Sequence, residues 1–481
     1  MNVLFVSSEV VPYSKTGGLA DVSGSLPPAI AALGHAVRVV TPKYKKLNKV
    51  ADDLGLDVTV TLEGLNRTTR LFEGKIVGEA GEFVPVTLLA QSEFFDRDEI
   101  YSTPGGDYPD NDARFAFFCK AALEAARALD FKPDIIHLND WQSALVAVYV
   151  RANMRDDPFF SGARIVLTVH NLGYQGLFSG ETLKKADIEE SLFTPQCLEF
   201  FGRVNYLKGG MIFADAVTAV SEGYAREIMT EEQGMGLDGV LRERAGRVHG
   251  IINGVDYSEW NPKRDKYIVT NYTPKKLIGK EACKKDLQNA FRLPALPDVP
   301  LIGMISRLAE QKGFDLIEEA MPDLMIRDLQ LVILGTGEEK YHKYFESVKS
   351  KYKNKLGVKL AYDNTLAHKI EAGADMFLMP SLYEPCGLNQ MYSLKYGTVP
   401  IVRATGGLDD TVIEDAGGEG AGFKFRDYTT ADMLACIDRA LKTYMDRKAW
   451  KKIMTNGMAK DYSWKQSAEK YVILYQSLFG E

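Results

Sequence analysis

The sequence predicts a chain of two doubly wound α/β domains, and three observations carry that prediction. Short, nearly continuous Val/Ile-rich runs alternate with helix-patterned segments from end to end. That is the pattern of buried parallel strands joined by crossover helices. The alternation stops in a polar stretch between about Val255 and Pro300, punctuated by Pro262, Pro274, Pro294 and Pro297, and then starts again. The 481 residues are 46% hydrophobic and 26% charged, enough apolar material for about two to four domains and against wholesale disorder.

The first half opens on Val3–Val6, a run too short and too poor in basic residues for a signal peptide. Ala36–Val40, Asp134–His137, Arg164–Val169 and Ala216–Val220 read as further buried strands, with helices over Ala113–Leu129 and Gln142–Arg151. The second half repeats the scheme with strands Leu301–Ser306, Leu329–Leu334, Val358–Ala361, Met376–Met379 and Val399–Val402. Helices are predicted over Phe314–Ala320, Glu338–Tyr352 and Leu388–Lys395. The predicted domains are 1–250 and 251–460, and residues 461–481, with a helix over Trp464–Leu478, are expected to pack back on the first. Ligands of such sheets bind beyond the C-terminal strand ends, so two of them facing each other would share a deep interdomain cleft.

Composition excludes several classes. Lys and Arg total 58 against 65 Asp and Glu, a net charge of −7, which argues against a dedicated nucleic-acid binder. The cysteines at 119, 197, 283, 386 and 436 are odd in number and include no C-x-x-C pair. A disulfide framework or cysteine zinc site is not expected, and the usage fits a reducing, cytoplasmic compartment. No apolar run reaches about 18 residues, so no membrane span is expected. Six scattered histidines without an H-E-x-x-H motif predict no metal site.

Six polar motifs follow predicted strands. Lys15-Thr16-Gly17-Gly18-Leu19-Ala20-Asp21 places two glycines before a helix. It is either an anion cradle with Lys15 adding charge or a plain tight turn. Asn139-Asp140-Trp141 offers a carboxylate and an aromatic to a sugar, or simply a helix cap with Trp141 in the core, the reading its spacing favours. His170, in Thr168-Val169-His170-Asn171, is a core residue or a hydrogen-bonding or proton-carrying group. Arg307 and Lys312 straddle a loop that ends at Gly313, where two cations beside a helix start suit a diphosphate; the bland alternative is a solvated loop. Glu384, in Tyr383-Glu384-Pro385-Cys386-Gly387-Leu388, is a rigidly held acid for sugar hydroxyls or a first-turn helix acid, and Cys386 reads as a small apolar filler. Thr405-Gly406-Gly407 repeats the glycine pair before another helix. Neither G-x-G-x-x-G nor a Walker A motif occurs, so dinucleotide and P-loop assignments lack their signature.

Together and in this order the motifs resemble the bacterial and plant glycogen/starch synthases, over nearly the whole chain from Val3 to about Trp464. Lys15–Val22, Ser306–Gly313 and Glu384–Gln390 are the most specific segments, and Asn253-Gly254-Val255-Asp256 with Trp260-Asn261-Pro262 resembles the family's interdomain segment. The resemblance implies a GT-B fold and a retaining glycosyltransferase. Such an enzyme transfers glucose from ADP-glucose to the non-reducing 4-OH of an α-1,4-glucan, with neither metal nor cofactor. It implies Arg307 and Lys312 on the leaving diphosphate, Glu384 on the glucosyl hydroxyls, His170 against the sugar and Asp140 on the acceptor side. Lys15, Gly17, Gly18, Asp21 and Asn253 would line the donor side with Tyr383, Cys386, Gly387 and Leu388. Tyr362 would face the adenine, and Thr405, Gly406 and Gly407 would complete the phosphate cradle. Asn389 stands where the family commonly has Thr, and Gln142 where some members have His. The expected partners are ADP-glucose and α-1,4-glucans (glycogen, maltooligosaccharides), with no nucleic acid and no membrane. The alternatives are a UDP-glucose-using relative, a non-catalytic glucan- or nucleotide-sugar-binding protein, and a two-domain dehydrogenase.

Overall fold

A computed structural model describes residues 1–47, 49–78, 81–103 and 105–480. The chain divides into two compact units. One comprises Met1–Val220, Ala225–Gly254 and Trp464–Glu481; the other comprises Ser221–Tyr224 and Val255–Ser463.

The N-terminal unit is built on β1 (Asn2–Val6), α1 (Gly18–Ala31), β2 (Ala36–Pro42), β3 (Asp52–Leu62), β4 (Leu65–Val77) and β5 (Phe83–Ala90). It continues with α2 (Asn111–Ala128), β6 (Ile135–Asn139), α3 (Asp140–Val148), β7 (Arg164–Val169), α4 (Tyr206–Phe213), β8 (Ala216–Ala219) and β9 (Val248–Gly250). Among the described residues, nine strands form one sheet in the order β9-β8-β7-β6-β1-β2-β5-β4-β3. The strands read from the sequence are all present and pair in parallel, with Val3–Val6 fully buried at the centre. The expectation of a purely parallel sheet is corrected at one edge, where β4 runs antiparallel to both β3 and β5. The signal was there: Val58, Val60 and Leu62 are buried in strict alternation with Thr59 and Thr61. A two-residue turn at Glu63-Gly64, both at positive φ, closes the β3–β4 hairpin. The helix predicted from Gln142 to Arg151 begins at Asp140 and ends in a π turn over Tyr149–Asn153.

The C-terminal unit contains α5 (Ile278–Ala290), β10 (Leu301–Ile305), α6 (Phe314–Ile326), β11 (Gln330–Leu334), α7 (Glu339–Val348) and β12 (Leu356–Lys359). Then follow α8 (Asn364–Gly373), β13 (Met376–Met379), α9 (Asn389–Tyr396), β14 (Val399–Arg403), α10 (Gly406–Thr411), β15 (Phe423–Phe425), α11 (Thr430–Tyr444) and α12 (Arg447–Met458). Its parallel sheet has the order β12-β11-β10-β13-β14-β15. The segment read as polar and irregular carries α5, whose Cys283 and Leu287 are buried while its many lysines mask the apolar stripe in the sequence. The strand predicted over Val358–Ala361 lies two residues earlier.

Residues Trp464–Ser477 form α13, which lies against α1 of the N-terminal unit. Its Tyr471 and Tyr475 join Val3, Phe5, Leu26 and Ile30 in one core, and Tyr475 Oη bonds His137 Nδ1 at 2.6 Å. His137 is thus a satisfied core histidine, its other ring nitrogen on Thr168 Oγ1. None of the five cysteines is in a disulfide. No helix among the described residues is long and apolar enough to cross a membrane.

Candidate functional site

In the N-terminal unit the strand order reverses at β1, which has β2 on one side and β6 on the other. A doubly wound sheet opens its crevice at such a reversal, beyond the C-terminal strand ends. Lys15–Asp21 follows β1, Asp140 follows β6, His170 follows β7, and Asn253 lies just past β9.

The Lys15–Gly18 loop is shaped from within. Glu9 is buried, and its carboxylate accepts from Thr16 N, from Thr16 Oγ1 at 2.7 Å, from Gly17 N at 3.4 Å and from Tyr101 Oη at 2.6 Å. The anion expected at this turn is therefore, at Thr16 and Gly17, the protein's own Glu9. Lys15 Nζ pairs with Asp21 Oδ1 at 2.7 Å, Lys15 exposed and Asp21 half-buried. A Cβ added at Gly17 or Gly18 would meet nothing within 4 Å, so the fold itself does not demand glycine, and the pair leaves the helix start open to a ligand.

Asp140 is buried at φ +55, the left-handed region that a non-glycine residue enters at about 1–3 kcal/mol. Its carboxylate accepts from the His170 N–H at 2.7 Å and from the Asn171 N–H, so it is not the helix cap; Asn139 holds that position, without a side-chain cap bond. Burial pushes it up to about 7 against those two hydrogen bonds. Burial pushes His170 down to about 3, so the ring is neutral at physiological pH; its Nε2 lies 3.0 Å from Asn139 Oδ1. This favours the hydrogen-bonding role over the proton-carrying one. Trp141 packs edge-on to Phe115 with centroids 4.9 Å apart and is a core residue. Asn253 is buried, its Oδ1 without a hydrogen-bond partner among the described residues.

Because Asp140 has a higher pKa in the folded unit than its ordinary 3.8, the folded form holds an extra proton between about pH 4 and 7. Its contribution to stability is present below that window and is lost as pH rises through it, by ~4 kcal/mol at most. Asp140→Asn removes this slope. The stability of the parent relative to the variant falls from pH 5 to pH 8, as read from urea midpoints. A pH-independent difference contradicts the assignment.

In the C-terminal unit the order reverses at β10, between β11 and β13. The loops after β10 and β13 line a cavity of about 220 Å³ with Ser306, Arg307, Lys312, Ser381, Glu384, Gly387, Leu388 and Asn389. Lys312 Nζ lies 2.6 Å from Glu384 Oε2, which also accepts from Ser381 Oγ at 3.1 Å. The exposed Arg307 contacts Gln311 Oε1 at 3.2 Å. Gly387 sits at φ +69, where glycine is favoured. Asn389 donates to the Ile305 carbonyl at 2.8 Å and ties the turn to the end of β10.

The remaining predicted residues are placed differently. Among the described residues, Tyr362, Tyr383, Cys386, Thr405, Gly406 and Gly407 do not line this cavity. Tyr362 is exposed three residues past β12. Tyr383 is half-buried, and its carbonyl accepts from Gln311 Nε2 at 3.4 Å. Cys386 is buried behind the turn as a filler, its carbonyl held by Gln390 Nε2 at 3.0 Å. Thr405 occupies the N-cap position of α10 without a side-chain cap bond, and Gly406 is its first residue. Gly407 corrects the cradle reading: its N–H donates to the Glu384 carbonyl at 3.1 Å and is not available to phosphate. Glu9, Tyr101, Gln311 and Ser381 escaped sequence reasoning: Tyr101 reaches Glu9 from 92 residues away and Gln311 reaches Tyr383 from 72, while the short-range contacts of Glu9 with Thr16 and of Ser381 with Glu384 belong to no sequence motif. A larger open groove of about 820 Å³, between Arg292, Lys353 and Lys369, holds none of the predicted residues.

Residues 2–243 match the family described as starch synthase catalytic domain, and residues 288–456 match glycosyl transferases group 1. The chain is 48% identical to a glycogen synthase of Koribacter versatilis over 99% of its length and 98% of that protein. It is 46% identical to glycogen synthase 2 of Geobacter sulfurreducens, at the same coverage. The catalytic domain of starch synthase IV from Arabidopsis thaliana, solved with ADP and acarbose, superposes with a TM-score of 0.91 at 33% identity, covering 100% of this chain and 99% of that one. A sucrose-phosphate synthase from Thermosynechococcus elongatus shares the fold, with a TM-score of 0.58 at 18% identity over 100% of this chain and 99% of that one.

Proposed function

This chain belongs to the glycogen and starch synthase family, and on that premise we propose that it elongates glycogen as a retaining glucosyltransferase of GT-B fold. It moves glucose from ADP-glucose to the non-reducing 4-OH of an α-1,4-glucan. One observation carries the assignment of the reacting centre: Arg307, Lys312, Glu384 and the Gly387-Leu388 turn line one cavity at the strand-order reversal of the C-terminal unit. Two cations and a turn of backbone N–H groups are the equipment for a departing diphosphate.

In this reading Arg307 and Lys312 bind the diphosphate and stabilise the charge it gains as the bond to the anomeric carbon breaks. Glu384, fixed by Lys312 and Ser381, holds the glucosyl hydroxyls. His170, neutral, donates or accepts a hydrogen bond at the sugar, and Asp140 serves the acceptor side. Lys15, Asp21 and the open Gly17-Gly18 helix start serve the donor. Tyr362 offers its exposed ring to the adenine. The acceptor oxygen attaches to the anomeric carbon on the face the phosphate leaves, and the departing phosphate oxygen takes the acceptor's proton. The products are ADP and a glucan one residue longer, with α configuration kept. No side chain forms a covalent sugar adduct, and protein cations do the work that a divalent metal does elsewhere.

The test is polymer-bound label from purified protein, glycogen, EDTA and either labelled ADP-glucose or labelled UDP-glucose. Incorporation from ADP-glucose in the presence of EDTA is expected. Incorporation mainly from UDP-glucose overturns the adenine role of Tyr362. Loss of activity in EDTA overturns the metal-free route, and label from neither donor overturns the function.

A further inference from the structure

Three loops of the N-terminal unit converge beside the His170 segment. The first carries Tyr174, four residues beyond His170 and 56% exposed. The second is the tip of a hairpin in which Phe200 pairs with Arg203 across Phe201-Gly202. The third carries Met235 and Gly236. They touch: a Cβ on Gly236 would lie 2.8 Å from the Phe200 ring and 3.3 Å from the Phe201 ring, and one on Gly173 would lie 3.7 Å from Met235 Sδ. Gln175 Nε2 donates to the Met235 carbonyl at 3.2 Å, joining the first loop to the third.

Phe201 is anomalous twice. Both central residues of its hairpin turn are at positive φ, +49 at Phe201 and +77 at Gly202, the type I′ geometry that favours Asn-Gly. A bulky ring there is strained. The ring is also 83% exposed, so the strain gains no burial. Met235 repeats the pattern at φ +48 and 38% exposure. Strained, exposed apolar residues that no core explains gather where a ligand is clamped. The first loop of the cluster is continuous in sequence with His170, whose N–H is bonded to Asp140, and these are the two residues given to the sugar and the acceptor. Its apolar rings match the apolar faces of a glucan chain, whose hydroxyls point outward along its edges.

We infer that Phe201, Tyr174 and Met235 form a platform on which the α-1,4-glucan acceptor rests, several sugar units from its reacting end. The inference rests on the proposed function and adds a place of contact to it. The platform acts on acceptor affinity and leaves the chemical step alone.

Phe201→Asn is the informative variant, because Asn suits the turn and removes the ring without disturbing the hairpin. Its thermal midpoint is expected to equal or exceed the parent's. Its KM for maltoheptaose and its retardation by glycogen in native gels are expected to weaken about three- to tenfold, with kcat and the KM for ADP-glucose unchanged. Phe201→Asn combined with Tyr174→Ala weakens both further. Parent-like acceptor KM and retardation in both variants overturn the platform alone. Parent-like values with loss of a parent dimer in light scattering give the surface to a second copy and overturn it too. A parent that elongates no glucan overturns the function and the platform with it.

Discussion

Arg307→Ala is expected to yield a folded protein that transfers glucose at least about a hundredfold more slowly than the parent. The side chain is exposed at the cavity, and its contact at 3.2 Å is with Gln311 on its own loop. No buried packing is lost, so stability changes by no more than about 0.5 kcal/mol. What is lost, on the proposed function, is a cation aimed at the charge that develops on the leaving phosphate, a deficit expected in the transition state and hence in kcat. Lys312→Ala is expected to be as slow for the same reason and less stable. Its ammonium neutralises Glu384, whose side chain is only 8% exposed, and an unpaired buried carboxylate is costly. Rates with labelled donor and thermal midpoints, measured on both variants, separate the two effects. Near-parental turnover in both removes the diphosphate role.

Gly407→Ala is expected to destabilise the C-terminal unit by several kcal/mol and to abolish most activity, though the glycine touches no substrate in our reading. Its added Cβ would fall 2.0 Å from the Cys386 carbonyl oxygen and 2.6 Å from Cys386 C and Cα. These are backbone atoms that cannot rotate aside, so the start of α10 or the Pro385–Gly387 turn must move. The same displacement stretches the Gly407 N–H bond to the Glu384 carbonyl, and a shift of about 1 Å at a reacting centre costs about a hundredfold. Gly17→Ala is the contrast. Its Cβ has open space at a backbone angle of −150° that any residue adopts. It is expected to keep the parent's stability while weakening donor binding. Equal stability of Gly407→Ala and the parent, by urea unfolding, contradicts the packing argument.

The parallel strands were legible because both faces of each are covered, which forces a continuous apolar run that no surface element needs. Val3–Val6 and Arg164–Val169 are of this kind. The β3–β4 hairpin and α5 were missed for the opposite reason: each buries one face only, and the polar half of the pattern hides the apolar half. Arg307, Lys312 and Glu384 could be singled out because each charge lies in a strand-to-helix loop, where a doubly wound sheet puts its ligands. The sequence could not separate the glycine pair at Gly17-Gly18, facing open space, from the pair at Gly406-Gly407, of which Gly407 is wedged against Cys386.

Fold class, most of the buried parallel strands, the charged loops and the family resemblance follow from the sequence alone, because each depends on periodicity or on residues adjacent in the chain. The tertiary structure alone decided that Glu9 fills the Thr16–Gly17 turn, that Asp140 is held by the loop after β7 and Glu384 by Lys312 from the loop after β10, and that Phe201 stands at positive φ with most of its ring exposed. Those facts depend on which distant segments meet and on how much water remains between them. Desolvation and three-dimensional contact set pKa values, spend or spare a backbone N–H, and leave an ordinary phenylalanine exposed on a turn that does not favour it.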